Sequence, residues 1–435
     1  MGLSGPVPRM FLGNAVELFN HHQHPSACLA DWTHRFAIST QDDRCHCNNM
    51  IFGIYWHQQI SLGDEWKRQR SVMQPTFSPN KLKEMRAIID QCVTNLIEKL
   101  DEQKAEVEFD ITSLLQRMSM DILLNCAFGI NLSKHEKLSV PFFQRCLQVF
   151  EFSFFQTILT MCSLIVPELD FIWVTVFKYT NPNTWLLYHV EQIIKQRRLY
   201  GNERIDLLQS MIEATDASQH ASSQTSTSPK ARLNQDELLH NIYLFLLGGY
   251  ETAATTLAYL IFILATHQNE QAHLLDEIER VYGDYDQIIK LEYLDWFIQE
   301  TLRFFPIAPF IVNRQCNKEC QIGPLKIERG TNITVDMYSL HYDDQLFGPV
   351  SPLKFYPERF RNKRHALAWL PFGAGPRNCI GMRFAMLEIK LALVQILHRY
   401  KILPGENTLS KFDVQERFVI APTNGIWIRI ERRET

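Results

Sequence analysis

The chain has no paired C-x-x-C spacing, no excess of positive charge, no internal repeat and no dinucleotide-binding glycine motif. Each absence removes a class of function. Of its ten cysteines, only Cys45 and Cys47, flanking His46, approach a metal cluster, and no second pair is placed to close a tetrahedron, which argues against zinc. A formal net charge of -4 gives no electrostatic case for a nucleic-acid partner. No signal-peptide pattern opens the sequence, which argues for reduced thiols and against an oxidising compartment. Near the start there is also no uninterrupted apolar run of about 18 residues, the length a bilayer span requires.

What is present is a large apolar inventory. With 435 residues, 46% of them hydrophobic, the chain can bury an extensive core. Residues 15–36 read as a short helix broken by Pro25, whose His21, His22 and His24 read as solvated. Helical periodicity runs from Lys81 to Leu100 and from Asp110 to Phe128. Residues 152–177 are greasy but interrupted by Gln156, Pro167, Glu168 and Asp170, which fits two helices meeting near Pro167 better than one membrane span. Residues 214–231 are polar and low in complexity, and read as an exposed loop.

From Asp236 a long apolar helix is expected, and its middle conflicts with its ends. Gly248 and Gly249 each cost about 1 kcal/mol relative to alanine, and Glu251-Thr252 follows inside an apolar context. A membrane span would not centre Glu251 without a partner. Two further patterns are weak alone. Trp66 and Arg70 share a helix face, as do Glu300 and Arg303.

The most specific stretch is Pro371–Ala385, PFGAGPRNCIGMRFA. Glycine-punctuated chain feeds an apolar helical pattern, with Cys379 at the junction. A thiol there meets the positive end of a helix and free backbone N–H groups, which favour thiolate, the form that binds metal. Gly373, Gly375 and Gly381 remove side chains where a flat cofactor would lie, and Arg377 is a fork donor for an acidic substituent.

Phe372, Gly375, Arg377, Cys379 and Gly381, so spaced, resemble the haem-binding loop of a cytochrome P450. The resemblance runs from about Gln59 to the C-terminus and more weakly over the first 36 residues, and its wording is closest to the microsomal branch of the subfamily 3A enzymes and thromboxane synthase. It implies a mainly α fold with small β-sheets, one domain over residues 1–435 enclosing haem b, with 1–58 shortened and atypical and 59–435 forming the haem-binding body. Cys379 is then the iron ligand. Trp66, Arg70, Arg314 and Arg377 hold the haem propionates, with Phe372 and Gly249 against the cofactor, and Gly249 with Gly248 opening the helix locally. Thr252 and Glu251 become the proton-handling catalytic pair. Glu300, Arg303 and Arg359 become a structural triad behind the haem loop, Ile307–Val312 and Phe418–Ala421 line the substrate pocket, and residues 152–177 roof it or dip into a bilayer.

The implied activity is insertion of one oxygen atom from O2 into an apolar small molecule. Electrons would come from NADPH-cytochrome P450 reductase, with cytochrome b5 as a further partner; Lys67, Arg68, Lys390 and Arg399 are candidate docking charges. The implied place is the cytoplasmic face of the endoplasmic reticulum membrane. Leu3–Pro8 resembles the proline-rich hinge that follows the family's N-terminal anchor, so the chain begins at the hinge, and a cytoplasmic or peripheral protein is also open. Residues 37–59 do not alternate as strands, so part of the N-terminal sheet is expected to be missing or rebuilt. Two alternatives stand beside the monooxygenase: a catalytically silent truncated haem protein and an endoperoxide isomerase of the thromboxane-synthase type. His341 reads as a loop residue, and Cys316 and Cys320 have no role.

Overall fold

The computed structural model describes residues 63–130, 146, 182–200, 206–219 and 233–434, less residues 310–312, 317, 323–324, 411 and 417–418. The helix expected at 15–36, the shortened segment 37–59, the Cys45–Cys47 cluster and the greasy stretch 152–177 lie outside the described residues.

The described chain is mainly helical, with small sheets at its margins. Its longer helices are α1 (Gly63–Met73), α2 (Pro79–Asp101), α3 (Thr112–Phe128), α4 (Pro182–Tyr200), α5 (Leu207–Gln219), α6 (Gln235–Thr266), α7 (Gln268–Glu279), α8 (Glu292–Phe304) and α9 (Met382–Arg399). α2 starts on a proline, where a missing N–H costs nothing, and buries Leu82, Met85, Ile89, Val93, Leu96 and Leu100 at steps of three and four. α3 stops at Gly129, whose φ of 61° is the left-handed cap that glycine supplies without strain.

α6 is the axis of the molecule, and α3, α4, α5, α8 and α9 all pack on it. Asn234 and Glu237 start it with a reciprocal capping box, each side chain accepting from the other's backbone N–H at 2.8 Å. From Leu257 to Ala265 every residue is buried, so this part of α6 is apolar on all sides. Among the described residues it is the helix long and apolar enough to cross a membrane, but 83% of its most apolar window is covered by the protein itself, which marks a core helix.

The helix does not open at its glycines. It runs unbroken through Gly248-Gly249, because the burial on either side outweighs a propensity cost of about 1 kcal/mol per glycine.

Strands β1 (Phe109–Asp110), β6 (Tyr400–Pro404) and β9 (Trp427–Arg432) form one antiparallel sheet, β9 in the middle. Three two-stranded ribbons complete the set: β2 (Asn313–Gln315) with β5 (Asn332–Thr334), β3 (Cys320–Ile322) with β4 (Leu325–Ile327), and β7 (Val414–Glu416) with β8 (Ile420–Pro422). The terminal strands expected in FVIAP and GIWIRI are thus β8 and β9.

Four expectations are corrected. Asp110 belongs to a strand rather than a helix, its carboxylate accepting from the Thr112 and Ile426 amides. The loop expected from 214 is helical to Gln219, held by buried Thr215, whose hydroxyl donates to Met211. His341 ends a short helix, Met337–His341, and is fully buried, its Nε2 accepting from the Leu370 amide. Lys390 is no surface charge, being buried with its Nζ bonded to the Ile289 carbonyl and paired with Asp295 at 2.8 Å.

Candidate active site

Cys379 sits where the sequence puts it, between a glycine loop and the start of α9. Gly373 and Gly375 take φ values of 67° and 74°, a region L side chains avoid, and the Cys379 amide donates to the Phe372 carbonyl at 2.8 Å to close the turn. Phe372 packs on the core cluster that contains α9, edge-on to Trp369, while Ile380 packs on the cluster that contains Leu246, Leu247 and Tyr250 of α6. Cys379 is therefore clamped between the two halves of the core, with its side chain left accessible.

The surrounding protein pushes the Cys379 thiol pKa up; the Gly381 and Met382 amides and the Arg70 guanidinium pull the other way. The helix start thus acts in the expected direction, but desolvation by the protein packed around the sulfur outweighs it. A thiol in this balance becomes thiolate when a cation shares the charge.

Three guanidinium groups converge beside it. Arg70 donates to the Asn378 carbonyl at 2.8 Å and to Asn378 Oδ1 at 3.0 Å, bracing the residue before the cysteine. Arg377 lies over the Trp66 ring, 4.3 Å from its centre, and Arg314, on β2, donates to the Ala374 carbonyl at 3.1 Å. Burial, then the charges of Arg314 and Arg70, push the Arg377 pKa down. Such a cluster is a fit for a ligand bearing two carboxylates. Arg70 also stands 6.0 Å from the centre of the Trp66 ring, so the expected Trp66–Arg70 pair is adjacent.

α1, which carries Trp66 and Arg70, is fixed to the start of α6. Arg68 bonds both oxygens of Glu237, and Gln69 reaches Glu237 Oε1 at 3.1 Å. Arg68 is therefore engaged in the fold, whereas Lys67 is exposed and Arg399 pairs loosely with Asp101 at 3.6 Å.

In the middle of α6, Leu244, Phe245, Gly248, Gly249 and Thr252 remain partly exposed. Steps of three and four place Gly248 and Thr252 on one face. A Cβ added at Gly248 would meet nothing within 4 Å, whereas one at Gly249 would stand 2.8 Å from Leu123 Cδ1 of α3. Leu123 thus excludes a side chain at Gly249, while the space beside Gly248 is open. Thr252 donates its hydroxyl to the Gly248 carbonyl at 2.9 Å. Glu251 is buried and faces α3, where Gln116 donates to its two oxygens at 3.3 and 3.5 Å. The expected catalytic pair is thus divided between two faces of the helix.

The triad is assembled and buried. Arg303 Nε and Nη2 donate to Glu300 at 2.7 and 2.9 Å, and Arg359 Nε donates to the same carboxylate at 2.9 Å. Backbone carbonyls, among them those of His341, Pro352 and Lys354, absorb remaining guanidinium donors, so the charges are saturated without water. Ile307 is buried and its carbonyl accepts from Ile420, which also takes a bond from Tyr259, so β8 is fixed to α6 and to the chain after α8.

Gln116, Glu237 and Asn378 were missed as site residues. Only Glu237 had a sequence cue, the Asn234-x-x-Glu237 capping pattern. A donor set of one accessible thiol, clustered arginines and a glycine-opened helix face fits a planar, doubly carboxylated metal chelate.

Comparison with known proteins gives the same answer. The family model described as Cytochrome P450 matches residues 4–429. Cytochrome P450 3A12 of Canis lupus familiaris is 33% identical over 479 aligned positions, covering 100% of this chain and 92% of that protein. Cytochrome P450 3A29 of Sus scrofa is 33% identical, covering 86% and 75%, and cytochrome P450 3A5 of Homo sapiens is 32% identical, covering 86% and 76%.

Proposed function

The chain belongs to the cytochrome P450 family, a haem b monooxygenase, and on that premise we propose that it inserts one oxygen atom into an apolar small molecule with electrons from NADPH-cytochrome P450 reductase. The observation that carries this reading is the accessible Cys379 thiol, clamped between the two core clusters beside Arg70 and Arg377. Bound haem supplies the reductive activation of dioxygen, and a thiolate ligand favours cleavage of the O–O bond.

The chain's own residues divide the remaining work. Cys379 would hold the iron, and Trp66, Arg70, Arg314 and Arg377 would hold the two propionates. Phe372 would pack against the macrocycle, and Gly248 would leave room on the α6 side. Thr252 is on that open face and is the group that presents a proton, at Oγ1, to the reacting side. Glu251, buried against α3 where it accepts from Gln116, is the carboxylate proposed to supply it. An apolar substrate is supported by Leu244, which stands one helical turn from Gly248 on the face that carries Thr252. Cytochrome b5 is proposed as a second electron donor, and the cytoplasmic face of the endoplasmic reticulum as the place of action, both on family resemblance.

The test is turnover of an apolar probe such as a steroid by the haem-loaded chain with reductase, NADPH and isotopically labelled dioxygen. Product carrying one labelled oxygen, absent without NADPH, supports the proposal; unlabelled product, or turnover of an endoperoxide without NADPH, replaces it with the isomerase reading.

A further inference from the structure

Cys316 and Cys320 fall outside the haem site, and the structure brings them together. Their sulfurs are 3.8 Å apart, Cys320 exposed and Cys316 half-buried. The contact is built by the ribbon geometry. Cys316 ends the β2 arm, exchanging backbone bonds with Gly330 and Thr331, at 2.7 and 2.8 Å. Cys320 opens β3 in register with Ile327, and the Cys316 sulfur lies 4.0 Å from that same Ile327 carbonyl. Two strand ends are therefore held so that both thiols meet over one cross-strand position. The hydrogen bond with Cys316 pushes the Cys320 pKa up, so its thiolate, the form that attacks a peroxide, gains ground as pH rises.

We propose that Cys316 and Cys320 form an oxidisable dithiol, a modification site that a peroxide converts to an intramolecular disulfide. The sulfurs are already near van der Waals contact, and exposure of Cys320 gives the oxidant access. Cys320 takes one oxygen from the peroxide, becoming a sulfenic acid and releasing water. Cys316 then attacks that sulfur, forming the S–S bond and releasing a second water. Two thiols are oxidised and one peroxide is reduced to two waters. The other described thiols are unsuited: Cys92, Cys126 and Cys146 are buried, and Cys379 is the proposed iron ligand. A five-residue ring constrains the unfolded chain only weakly, so the bridge is reversible by ordinary thiols. It would tie the turn just beyond Arg314, whose guanidinium holds Ala374 of the cysteine loop.

The sequence supplies its own assay, because Lys318 lies between the two cysteines. The haem-loaded protein is treated with hydrogen peroxide, its remaining thiols are alkylated, and it is digested with trypsin. The expected result is that residues 315–318 and 319–326 travel as one linked pair, which dithiothreitol separates and Cys320→Ser abolishes. Separate peptides carrying sulfinic acid, or Cys320 linked to a cysteine other than Cys316, would overturn the proposal. Cys316→Ser with an unchanged melting temperature and no linked pair shows that the result reports pairing rather than folding.

Discussion

Gly249 and Leu123 are in contact at the limit of what two helices allow: a single carbon added to the glycine would come within 2.8 Å of the leucine's Cδ1. One residue earlier, Gly248 faces open space. Gly248→Ala gains about 0.5–1 kcal/mol of helix propensity. Gly249→Ala sets the same gain against an overpacking cost of about 1–3 kcal/mol. Thermal melts are expected to place Gly248→Ala above Gly249→Ala, while binding spectra show Gly248→Ala weakening bulky aryl imidazoles and sparing imidazole itself. The reverse order of melting would mean that the two glycines have been assigned to the wrong faces.

Breaking the buried triad leaves charge without a partner. Glu300→Ala leaves the buried Arg303 and Arg359 guanidiniums without their shared carboxylate, and a loss of about 3–5 kcal/mol is expected in urea unfolding. Arg68→Ala, on a side chain 37% exposed, is expected to cost about 1 kcal/mol. Similar losses for the two would show that the triad's burial carries no special weight.

The arginine cluster separates charge from geometry. Arg377→Lys keeps the positive charge but removes the planar group over Trp66. Haem transfer to apomyoglobin is expected to be fastest for Arg377→Ala, intermediate for Arg377→Lys and slowest for wild type. Lysine matching wild type would reduce the role of Trp66 to packing.

Buried titratable groups bound the pH range of stability. Burial raises Glu388 to about 8 and Asp121 to about 6, so in the folded state both hold protons that the unfolded chain would release. Stability is therefore full below the ordinary carboxylate range and is lost as pH rises toward 8. His341 acts on the opposite side. Burial lowers it to about 3, so stability falls as pH drops from about 6.5 toward 3. Glu388→Gln is expected to flatten the decline between pH 5 and 8 in denaturant titrations, by on the order of a few kcal/mol. An unchanged slope would place that proton elsewhere.

The legible parts of the sequence were those carried by short-range pattern. The Cys379 loop and the course of α2, α3 and α6 follow from glycine placement and apolar periodicity, whereas Arg359 joined Glu300 and Arg303 only through the family resemblance, because Arg359 and Glu300 lie 59 residues apart. What the sequence left ambiguous was direction. Gly248 and Gly249 are equivalent as letters, and only the approach of Leu123 tells which one faces the open side. Lys390 and His341 look like surface groups because their partners, Ile289 with Asp295 and Leu370, are distant in sequence. Glu251 reads as a companion of Thr252, but neighbours on a helix point about 100° apart.

The central claim is that Cys379 thiolate holds the haem iron, and the direct measurement is a carbon monoxide difference spectrum of the dithionite-reduced, haem-loaded protein beside that of Cys379→Ala. The account predicts a strongly red-shifted Soret band in the wild type that is absent from the variant. A wild-type spectrum with only the shorter-wavelength band of haem bound by a neutral ligand, or the red-shifted band persisting in Cys379→Ala, would contradict it.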